Sequence, residues 1–465
     1  MQTKTSSKFQ FPHIYVLLSI FILVCTAATW ILPAGEFDRV QNTSGRTVVV
    51  AGTYHRIEQS PVGPFKMVES VYDGMLDAGE VIFFIMIAYA SIGLIISSGA
   101  FNGLVSWLLR VFKGKSRSLI IPIFITILGA ASSTIGVFEE AFPFVPIFVG
   151  IAIAMGYDAI VGLAIVALGV AIGYSGAAMN PFTVGMAQSI AELPPMSGFP
   201  YRIFCHAAMI AVASAYTMRY AVRIQEDPSK SLLYGTDFAS HIKSDENLEN
   251  YRLGKREICV LATLALGIIA VVYGTKTYGW YLRELCAVFL VMGLVTAAIM
   301  SWSPSETADK IAKSFADMAM AAMMIGLARG ILVVLREGCI IDTVVYGMSV
   351  PLSYMPSWLA AECMLIIQTL LNFLVPSGSG QAVISMPIMA PLSDLLGISR
   401  QVAVLCFQFG DGLSNIVWPT ASTPILAALA GVKLERWWKW MIPLFLILVL
   451  TQMILVAIAM FIGWA

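Results

Sequence analysis

Long apolar runs alternate with short polar segments along this chain, and the pattern predicts α-helices that cross a lipid bilayer. A crossing helix needs about 20 predominantly apolar residues. We predict full crossings at residues 13–32, 80–98, 202–222, 255–274, 282–300, 318–336 and 438–462. The first run is longer than the apolar core of a typical signal peptide, so we expect it to remain as a helix. The polar segments 33–79 and 224–253 predict surface loops.

Two further apolar stretches, 118–155 and 356–396, are interrupted by small polar residues instead of by a charged loop. The first interruption contains Ser132, Ser133 and Thr134, and the second runs from Pro376 to Gln381. Their arms of about 14 to 18 residues would span about 21–27 Å as helices, less than the ~30 Å hydrocarbon core. We therefore predict two re-entrant helical hairpins, each entering and leaving on one side. Two short full crossings joined by a tight turn are the alternative.

Each hairpin is followed by a helix that proline interrupts. Residues 158–193 contain Asn180 followed by Pro181, and residues 399–430 contain a break from Asn415 to Thr420. Proline removes a backbone donor and clashes with the preceding turn, so each interruption leaves carbonyl groups free. Backbone of this kind is tolerated at membrane depth only where it faces protein or a water-filled cavity. The sequence therefore predicts two broken helices that line a cavity.

The hairpins and broken helices occur twice at a constant spacing, which indicates an internal duplication. Pro181 and Pro419 lie 238 positions apart, as do the helices that begin at 80 and 318. We assign residues 1–222 to a first repeat, 223–281 to a cytoplasmic linker with the extra span 255–274, and 282–465 to a second repeat. The extra span inverts the second repeat. Most Lys and Arg residues then fall in cytoplasmic segments, which favours a cytoplasmic N-terminus and an external C-terminus.

The composition excludes several classes of protein. Hydrophobic residues make up 58% of the chain and charged residues 12%, against about 45–50% and 25% in soluble domains. Lys and Arg number 28, and so do Asp and Glu, so no basic surface for nucleic acid is expected. The seven cysteines form no C-x-x-C pair, and neither a zinc-peptidase motif nor a nucleotide-binding loop occurs. We expect a polytopic all-α membrane protein without a catalytic centre, a metal or a cofactor.

Inverted repeats with discontinuous helices that meet near the bilayer midplane are the construction of secondary transporters. Half-helix N-termini attract anionic groups there, and free carbonyls coordinate cations. The pattern therefore predicts a carrier of a small solute. A proton and a sodium ion are the candidate coupling ions. The short amphipathic segments 101–113 and 338–350 are expected to lie along the membrane as arms. A channel is the alternative from another mechanistic class.

Few ionisable residues fall inside the predicted membrane segments, and each costs about 2.5–3.5 kcal/mol at a helix centre. They are Glu139, Glu140, Arg329, Glu362 and Asp411. Glu139 and Glu140 follow the polar interruption of the first hairpin. There they either bind a cation or proton, or complement the positive end of a helix. Three roles are open for Asp411: it binds a substrate ammonium or guanidinium group, it binds a coupling ion, or it pairs with a neighbouring side chain. Arg329 either binds a substrate carboxylate or pairs with one of these acids, and Glu362 is treated as structural.

Four short segments resemble a known family. They are Gly136-Val137-Phe138-Glu139-Glu140, Met179-Asn180-Pro181-Phe182, Ser377-Gly378-Ser379-Gly380-Gln381-Ala382 and Phe407-Gln408-Phe409-Gly410-Asp411-Gly412. Together they resemble YfcC-type membrane proteins of the anaerobic C4-dicarboxylate carrier group, which also includes ArcD-type arginine/ornithine antiporters. The resemblance covers essentially the whole chain. It implies the ion-transporter superfamily, a homodimer with scaffold and transport domains, and an elevator mechanism in the inner membrane.

The expected substrate site combines the polar interruptions of the two hairpins, the breaks in the two proline-interrupted helices and the buried acids. Four acids against one arginine suit a cationic or zwitterionic amino acid better than a dicarboxylate. We therefore rank basic amino-acid antiport first and C4-dicarboxylate transport second. The expected site residues are Ser132, Ser133, Thr134, Glu139, Glu140, Asn180, Ser377, Gly378, Ser379, Gln381, Asp411, Asn415 and Thr420, with Arg329 as an ion-pair or carboxylate partner.

Overall fold

The structure is a computed structural model that describes residues 12–41, 47–50, 52–111, 114–235 and 253–465. This part of the chain is almost wholly helical. Its helices are α1 (Ile14–Ile31), α2 (Pro64–Asp77), α3 (Gly79–Ser97), α4 (Ala100–Val111), α5 (Ile120–Ile135), α6 (Val145–Ala154), α7 (Ala159–Ser175), α8 (Val184–Ile190), α9 (Phe199–Glu226), α10 (Lys255–Tyr278), α11 (Leu282–Met300), α12 (Pro304–Glu337), α13 (Ile341–Ser349), α14 (Ser357–Leu374), α15 (Gly378–Leu395), α16 (Arg400–Ser414), α17 (Thr423–Leu429) and α18 (Leu434–Phe461).

Short 3₁₀ helices and strands connect these elements. The 3₁₀ helices cover Gly114–Leu119, Glu139–Phe144, Pro228–Lys230 and Val350–Tyr354. The strands are β1 (Gly35–Glu36), β2 (Arg39–Gln41), β3 (Thr47–Val49) and β4 (His55–Arg56). They form two antiparallel ribbons, in which β1 pairs with β4 and β2 pairs with β3. The segment after α1 is therefore folded, although we predicted residues 33–79 as one polar loop.

Helix α2 is the main element that the hydropathy pattern missed. It mixes apolar residues with Lys66, Glu69, Asp73 and Asp77, so no uninterrupted apolar run marks it. It packs along α12. Helix α12 itself begins at Pro304, well before the predicted boundary at 318, because Ser303 caps its charged first turns by accepting from the Glu306 amide.

Eight helices of the described residues are long and apolar enough to cross a membrane. They lie at Ile14–Ile31, Gly79–Ser97, Arg117–Ile135, Lys255–Thr275, Leu282–Met300, Pro304–Glu337, Ser357–Leu374 and Leu434–Phe461. The predicted crossing 202–222 forms the 28-residue helix α9 but is not among them. Its sequence carries Arg202, Arg219 and Arg223, which lower its hydropathy.

Both predicted hairpin segments form pairs of helices joined by a polar turn. The pairs are α5 with α6 and α14 with α15. Helices α14 and α15 have 18 residues each, about 27 Å at 1.5 Å per residue. Arm length therefore does not distinguish a re-entrant hairpin from two crossings in the second pair, and the re-entrant arrangement stays a prediction.

The two broken helices form the buried centre of the molecule. Helix α7 ends at Ser175 and the chain resumes as α8, whereas α16 ends at Ser414 and resumes as α17. Nearly every residue of α7 and α16 is buried. Helices α5 and α6 pack on α7, and α14 and α15 pack on α16 in the same way. Helices α1, α2 and α3 pack instead on α12.

Helix caps reinforce the likeness between the two halves. Asp158 accepts from the Val161 amide at the start of α7 (3.2 Å), and Ser399 accepts from the Val402 amide at the start of α16 (3.2 Å).

The predicted arm segments form α4 and α13. Most of the polar linker that we predicted between the halves at 224–253, namely residues 236–252, lies outside the described residues.

Candidate functional site

The two helix-pair turns and the first helix break meet around Tyr174, near the end of α7. The Tyr174 ring lies 4.9 Å from the Phe138 ring of the first turn, in an edge-on arrangement. Gly378 of the second turn approaches the same tyrosine, because a Cβ atom there would lie 3.0 Å from Tyr174 Cε1. The same Cβ would lie 2.9 Å from Thr183 Cγ2 and 3.0 Å from Asp411 Oδ2. Residues of both halves therefore share one buried region.

Polar groups of the first turn are bound to the backbone of the first break. Ser132 Oγ donates to the Val170 carbonyl (2.8 Å), and Ser133 Oγ accepts from the Ala178 amide (3.1 Å). Asn180 Nδ2 donates to the Ser132 carbonyl (3.3 Å). These hydrogen bonds give the buried side chains partners, as buried polar groups require, and they tie the first turn to α7 and to the first break. Thr134 is exposed and donates to the Ala130 carbonyl of its own helix (2.7 Å), so it lies apart from the shared region.

Polar groups of the second turn behave in a similar way. Ser377 caps α15 by accepting from the Gly380 amide (3.3 Å), and Gln381 Nε2 donates to Gln368 Oε1 (2.8 Å). In the second break, Asn415 Nδ2 donates to the Asp411 carbonyl (2.7 Å), and Thr420 Oγ1 donates to the Phe373 carbonyl (2.7 Å). Several of the polar residues that we selected as site candidates, among them Ser133, Asn180 and Asn415, therefore bind backbone in or near the breaks.

Glu139 lies beside a small cavity between the two halves, which we call the central cavity. The cavity measures about 60 Å³. Its lining includes Glu139, Phe142, Arg329, Pro376 and Thr420. Ligand pockets usually measure about 300–1,000 Å³, so the central cavity as it stands is too small for a metabolite. A solute can enter only if the surrounding helices move apart.

Arg329 is paired outside the predicted set of acids. Its Nε atom lies 3.2 Å from Asp77 Oδ2 of α2, a residue that we had placed in a loop. Arg329 and Glu139 both line the central cavity. Glu140 does not contact Arg329 within ion-pair distance, and its Oε2 atom accepts from the Phe138 amide (2.8 Å). We left two roles open for Arg329, and among the described residues it forms an ion pair, but with Asp77, which also pairs with Arg336, and not with one of the predicted membrane acids.

Asp411 is fully buried and does not line the central cavity. Its Oδ1 atom accepts from Asn372 Nδ2 (2.9 Å), whereas Oδ2 has no hydrogen-bond partner. Among the described residues, no Lys, Arg or His nitrogen forms an ion pair with it. Glu362 lies on α14 with a buried Oε2 atom that also has no hydrogen-bond partner, and it stands apart from this group.

Two larger cavities lie at opposite ends of α1. The α13-side cavity, about 570 Å³, is lined by Glu36, Arg39, Asp342, Ser379 and Gly380, among others. The α17-side cavity, about 490 Å³, is lined by residues that include His13, Ile14, Met324 and Ala428. Ser379, which we expected at a shared site, therefore opens into the α13-side cavity.

Sequence reasoning missed a second buried arginine. Arg202 of α9 is 1% exposed and donates to Gln408 and to Gln401 Oε1 (3.0 Å). Gln408 Nε2 in turn donates to the Ala177 carbonyl in the first break (3.3 Å). We had treated Arg329 as the one deep positive charge, which was wrong. The position of Arg202 at the edge of a predicted crossing was the available signal.

The fold and this region together define a multi-pass helical membrane protein with interrupted helices buried at its centre. The family model described as DcuC, C4-dicarboxylate anaerobic carrier, matches residues 11–461. The chain belongs to this family, and it is therefore a membrane transporter and not an enzyme.

Two relatives extend over nearly the whole chain. The Escherichia coli (strain K12) protein YfcC, which carries the provisional name of a basic amino acid antiporter, is 29% identical over 479 residues, 95% of this chain and 94% of YfcC. A Haemophilus influenzae protein of uncharacterised function is 26% identical over 500 residues, 98% of each chain.

Two solved structures are similar at lower identity. Neisseria gonorrhoeae MtrF, described with a class of antimetabolite efflux pumps, gives a TM-score of 0.44 at 16% identity, over 97% of this chain and 95% of MtrF. The Alcanivorax borkumensis YdaH transporter gives a TM-score of 0.45 at 14% identity, over 97% of this chain and 99% of YdaH.

Proposed function

We propose that this transporter is an antiporter of basic amino acids of the arginine or ornithine type. The observation that carries the proposal is the charge around the central cavity. Glu139 borders the cavity, whereas Arg329 already has a carboxylate partner in Asp77, which also pairs with Arg336 (3.3 Å). The remaining carboxylate suits the ammonium or guanidinium end of a solute. The provisional name of YfcC supports the same substrate class.

Transport of C4-dicarboxylates is the second candidate. The family description supports it, and Arg329 borders the central cavity beside Glu139. A dianion would need Arg329 to separate from Asp77, and it would need Glu139 to be protonated or to hold a cation. The basic amino acid requires neither change, and we therefore rank it first.

The cavities support a route along α12. Met324 borders the α17-side cavity, Arg329 the central cavity, and Arg336 the α13-side cavity. These residues span 12 positions, or about 18 Å of helix at 1.5 Å per residue. We propose that solute passes from one large cavity to the other through the central one, which opens towards each side in turn. The substrate contacts are Glu139 and the neighbouring turns and breaks.

The proposed architecture is an inverted repeat with two re-entrant hairpins that works as an elevator. The equivalent packing of α5 and α6 on α7, and of α14 and α15 on α16, supports it. We further propose a homodimer in the inner cell membrane, with the N-terminus in the cytoplasm and the C-terminus outside. A proton or a sodium ion accompanies the solute or drives its exchange.

Uptake into proteoliposomes tests the substrate class. The full chain is reconstituted, and uptake of labelled arginine, ornithine and succinate is compared with that of protein-free liposomes, with and without internal arginine. We expect saturable arginine and ornithine uptake that internal arginine accelerates. Succinate uptake without arginine or ornithine exchange would reverse the ranking.

A further inference from the structure

The α13-side cavity combines the volume of a ligand pocket with charged side chains. It measures about 570 Å³, within the usual range of about 300–1,000 Å³ for ligand pockets. It shares no lining residue with the central cavity. Arg336 at its wall lies seven positions beyond Arg329 on α12, or about 10 Å along the helix. The α13-side cavity is therefore a compartment of its own.

The wall that carries Glu36 is fixed to the rest of the molecule. The Gly35 amide of β1 donates to the Cys339 carbonyl in the turn between α12 and α13 (3.0 Å). Strand β1 pairs with β4, and the Tyr54 hydroxyl next to β4 shares a hydrogen bond with Thr343 Oγ1 of α13 (2.9 Å). The ribbon of β1 and β4 is therefore held against α13, and the Glu36 backbone has a defined position at the cavity.

Only some of the charged residues at this cavity are accessible to a ligand. Asp342 is 6% exposed, and its Oδ2 atom accepts from Arg39 Nη2 (2.7 Å) and from the Phe37 amide (3.1 Å). The side chains of Glu36 and Arg336 are 49% and 56% exposed. The cavity therefore presents one accessible carboxylate and one accessible guanidinium besides the pair that Arg39 forms with Asp342.

Both accessible groups retain binding capacity. Among the described residues, Glu36 has an ion-pair contact only with His55, whose Nε2 atom lies 3.6 Å from Glu36 Oε1. An imidazole becomes neutral as the pH rises above about 7, and it then leaves the carboxylate charge uncompensated. Arg336 meets Asp77 through Nη1 alone (3.3 Å), and a guanidinium has five N–H donors.

We propose that the α13-side cavity is an entry site for an α-amino acid, with the ammonium group at Glu36 and the carboxylate at Arg336. One accessible charge of each sign matches a zwitterion. A dicarboxylate would instead place a second negative charge beside Glu36, where like charges repel. The entry role rests on the proposed function, because it assumes that the captured amino acid moves on to Glu139. Binding in the cavity does not depend on transport.

Protection of Cys339 from a thiol reagent tests the site, because Cys339 lines the same cavity. The full chain with Cys339 as its only cysteine is purified in detergent and treated with a maleimide at about pH 8, where an imidazole is mostly neutral. The labelling rate is measured against ligand concentration at constant ionic strength. We expect L-arginine to slow labelling in a saturable manner. Agmatine, which lacks the carboxylate, and succinate, which lacks the ammonium group, should each need at least tenfold higher concentrations.

Three variants locate the protection. Glu36→Gln should raise the arginine concentration that halves the labelling rate at least tenfold. Asp38→Asn is the matched control and should respond as wild type does, because Asp38 also lies near His55 (3.9 Å) but does not line the cavity. Glu139→Gln should keep the protection of Cys339, because Glu139 lines the central cavity instead.

The opposite results would overturn the site. They are labelling that arginine does not slow, equal protection in wild type and Glu36→Gln, and protection that disappears in Glu139→Gln. Equal protection by succinate would refute the amino-acid class. Arginine protection without arginine exchange in proteoliposomes would leave this site intact and refute the proposed function, whereas exchange without protection would refute the site alone.

Discussion

At the scale of single residues, most polar side chains near the helix breaks bind backbone. Ser132, Ser133 and Asn180 bind groups in or near the first break, and Thr420 binds a carbonyl of α14. Glu139 and Asp411 differ, because one borders a cavity and the other keeps an oxygen without a partner. Residue type and spacing identified all of these positions. They could not separate the two roles, since the role depends on which acceptor lies within reach in three dimensions.

Glu139→Gln is expected to lower arginine exchange at least a hundredfold. The substitution keeps the shape of the side chain but removes the charge that we assign to the basic end of the solute. Exchange in proteoliposomes and the size-exclusion profile of the purified protein measure activity and folding separately. Thr134→Val should keep its exchange rate. Wild-type exchange by Glu139→Gln would remove this carboxylate from the mechanism.

Asp77→Asn is expected to shift selectivity from arginine towards succinate by about tenfold, equivalent to about 1.4 kcal/mol. Asp77 pairs with Arg329 at 3.2 Å and with Arg336 at 3.3 Å, so its neutralisation adds net positive charge beside the central cavity. Competition between labelled arginine and unlabelled succinate measures the ratio. The control is Asp73→Asn on the same helix, which removes a pair with Lys66. Equal selectivity in wild type and Asp77→Asn would contradict the assigned role of Arg329.

At the scale of elements, the sequence predicted the helix pairs and both breaks because glycine, proline and small polar residues interrupt apolar runs. It missed α2 because charged residues divide its apolar face. It did not single out Tyr174, Thr183 and Asn372, because the contacts of these side chains join elements that are far apart in the chain. Arg202 sits at the edge of an apolar run, where a long side chain reaches either solvent or the interior, and hydropathy does not distinguish these cases.

Gly412→Ala is expected to destabilise the protein by about 1–3 kcal/mol, the usual cost of an added methyl in a packed interior. Helices α7 and α16 approach so closely here that a Cβ on Gly412 would lie 2.3 Å from the Ser175 amide nitrogen. Thermal unfolding in detergent measures the loss. Gly150→Ala on α6, where a Cβ has no neighbour within 4 Å, is the matched control and should unfold as wild type does. An unchanged midpoint for Gly412→Ala would contradict the close crossing.

At the scale of the whole molecule, the large cavities at opposite ends of α1 are separated by the small central one. This arrangement suits a carrier that exposes its site to each side in turn. The sequence predicted an internal duplication from the 238-residue spacing of Pro181 and Pro419 and of the helices that begin at 80 and 318. The sequence did not predict the three cavities along α12, because cavities arise from the packing of distant helices.

Cysteines in the two large cavities are expected to react from opposite sides of the membrane. Cys339 borders the α13-side cavity, and Ala428 borders the α17-side cavity. Two variants of an otherwise cysteine-free chain are compared, one that keeps Cys339 and one that carries Ala428→Cys. Each is treated with a membrane-impermeant thiol reagent. With the proposed topology, Cys339 is labelled in intact cells, and Ala428→Cys only in inverted vesicles. Labelling of both from one side would refute the route along α12.

The dependence of arginine efflux on external arginine tests the central claim most directly. Proteoliposomes are loaded with labelled arginine, and efflux is followed while the external arginine concentration is raised from zero. A carrier that returns its loaded site faster than its empty one predicts efflux that accelerates several-fold and then saturates. Efflux that rises linearly with the internal concentration and does not respond to external arginine would identify a channel and contradict the account.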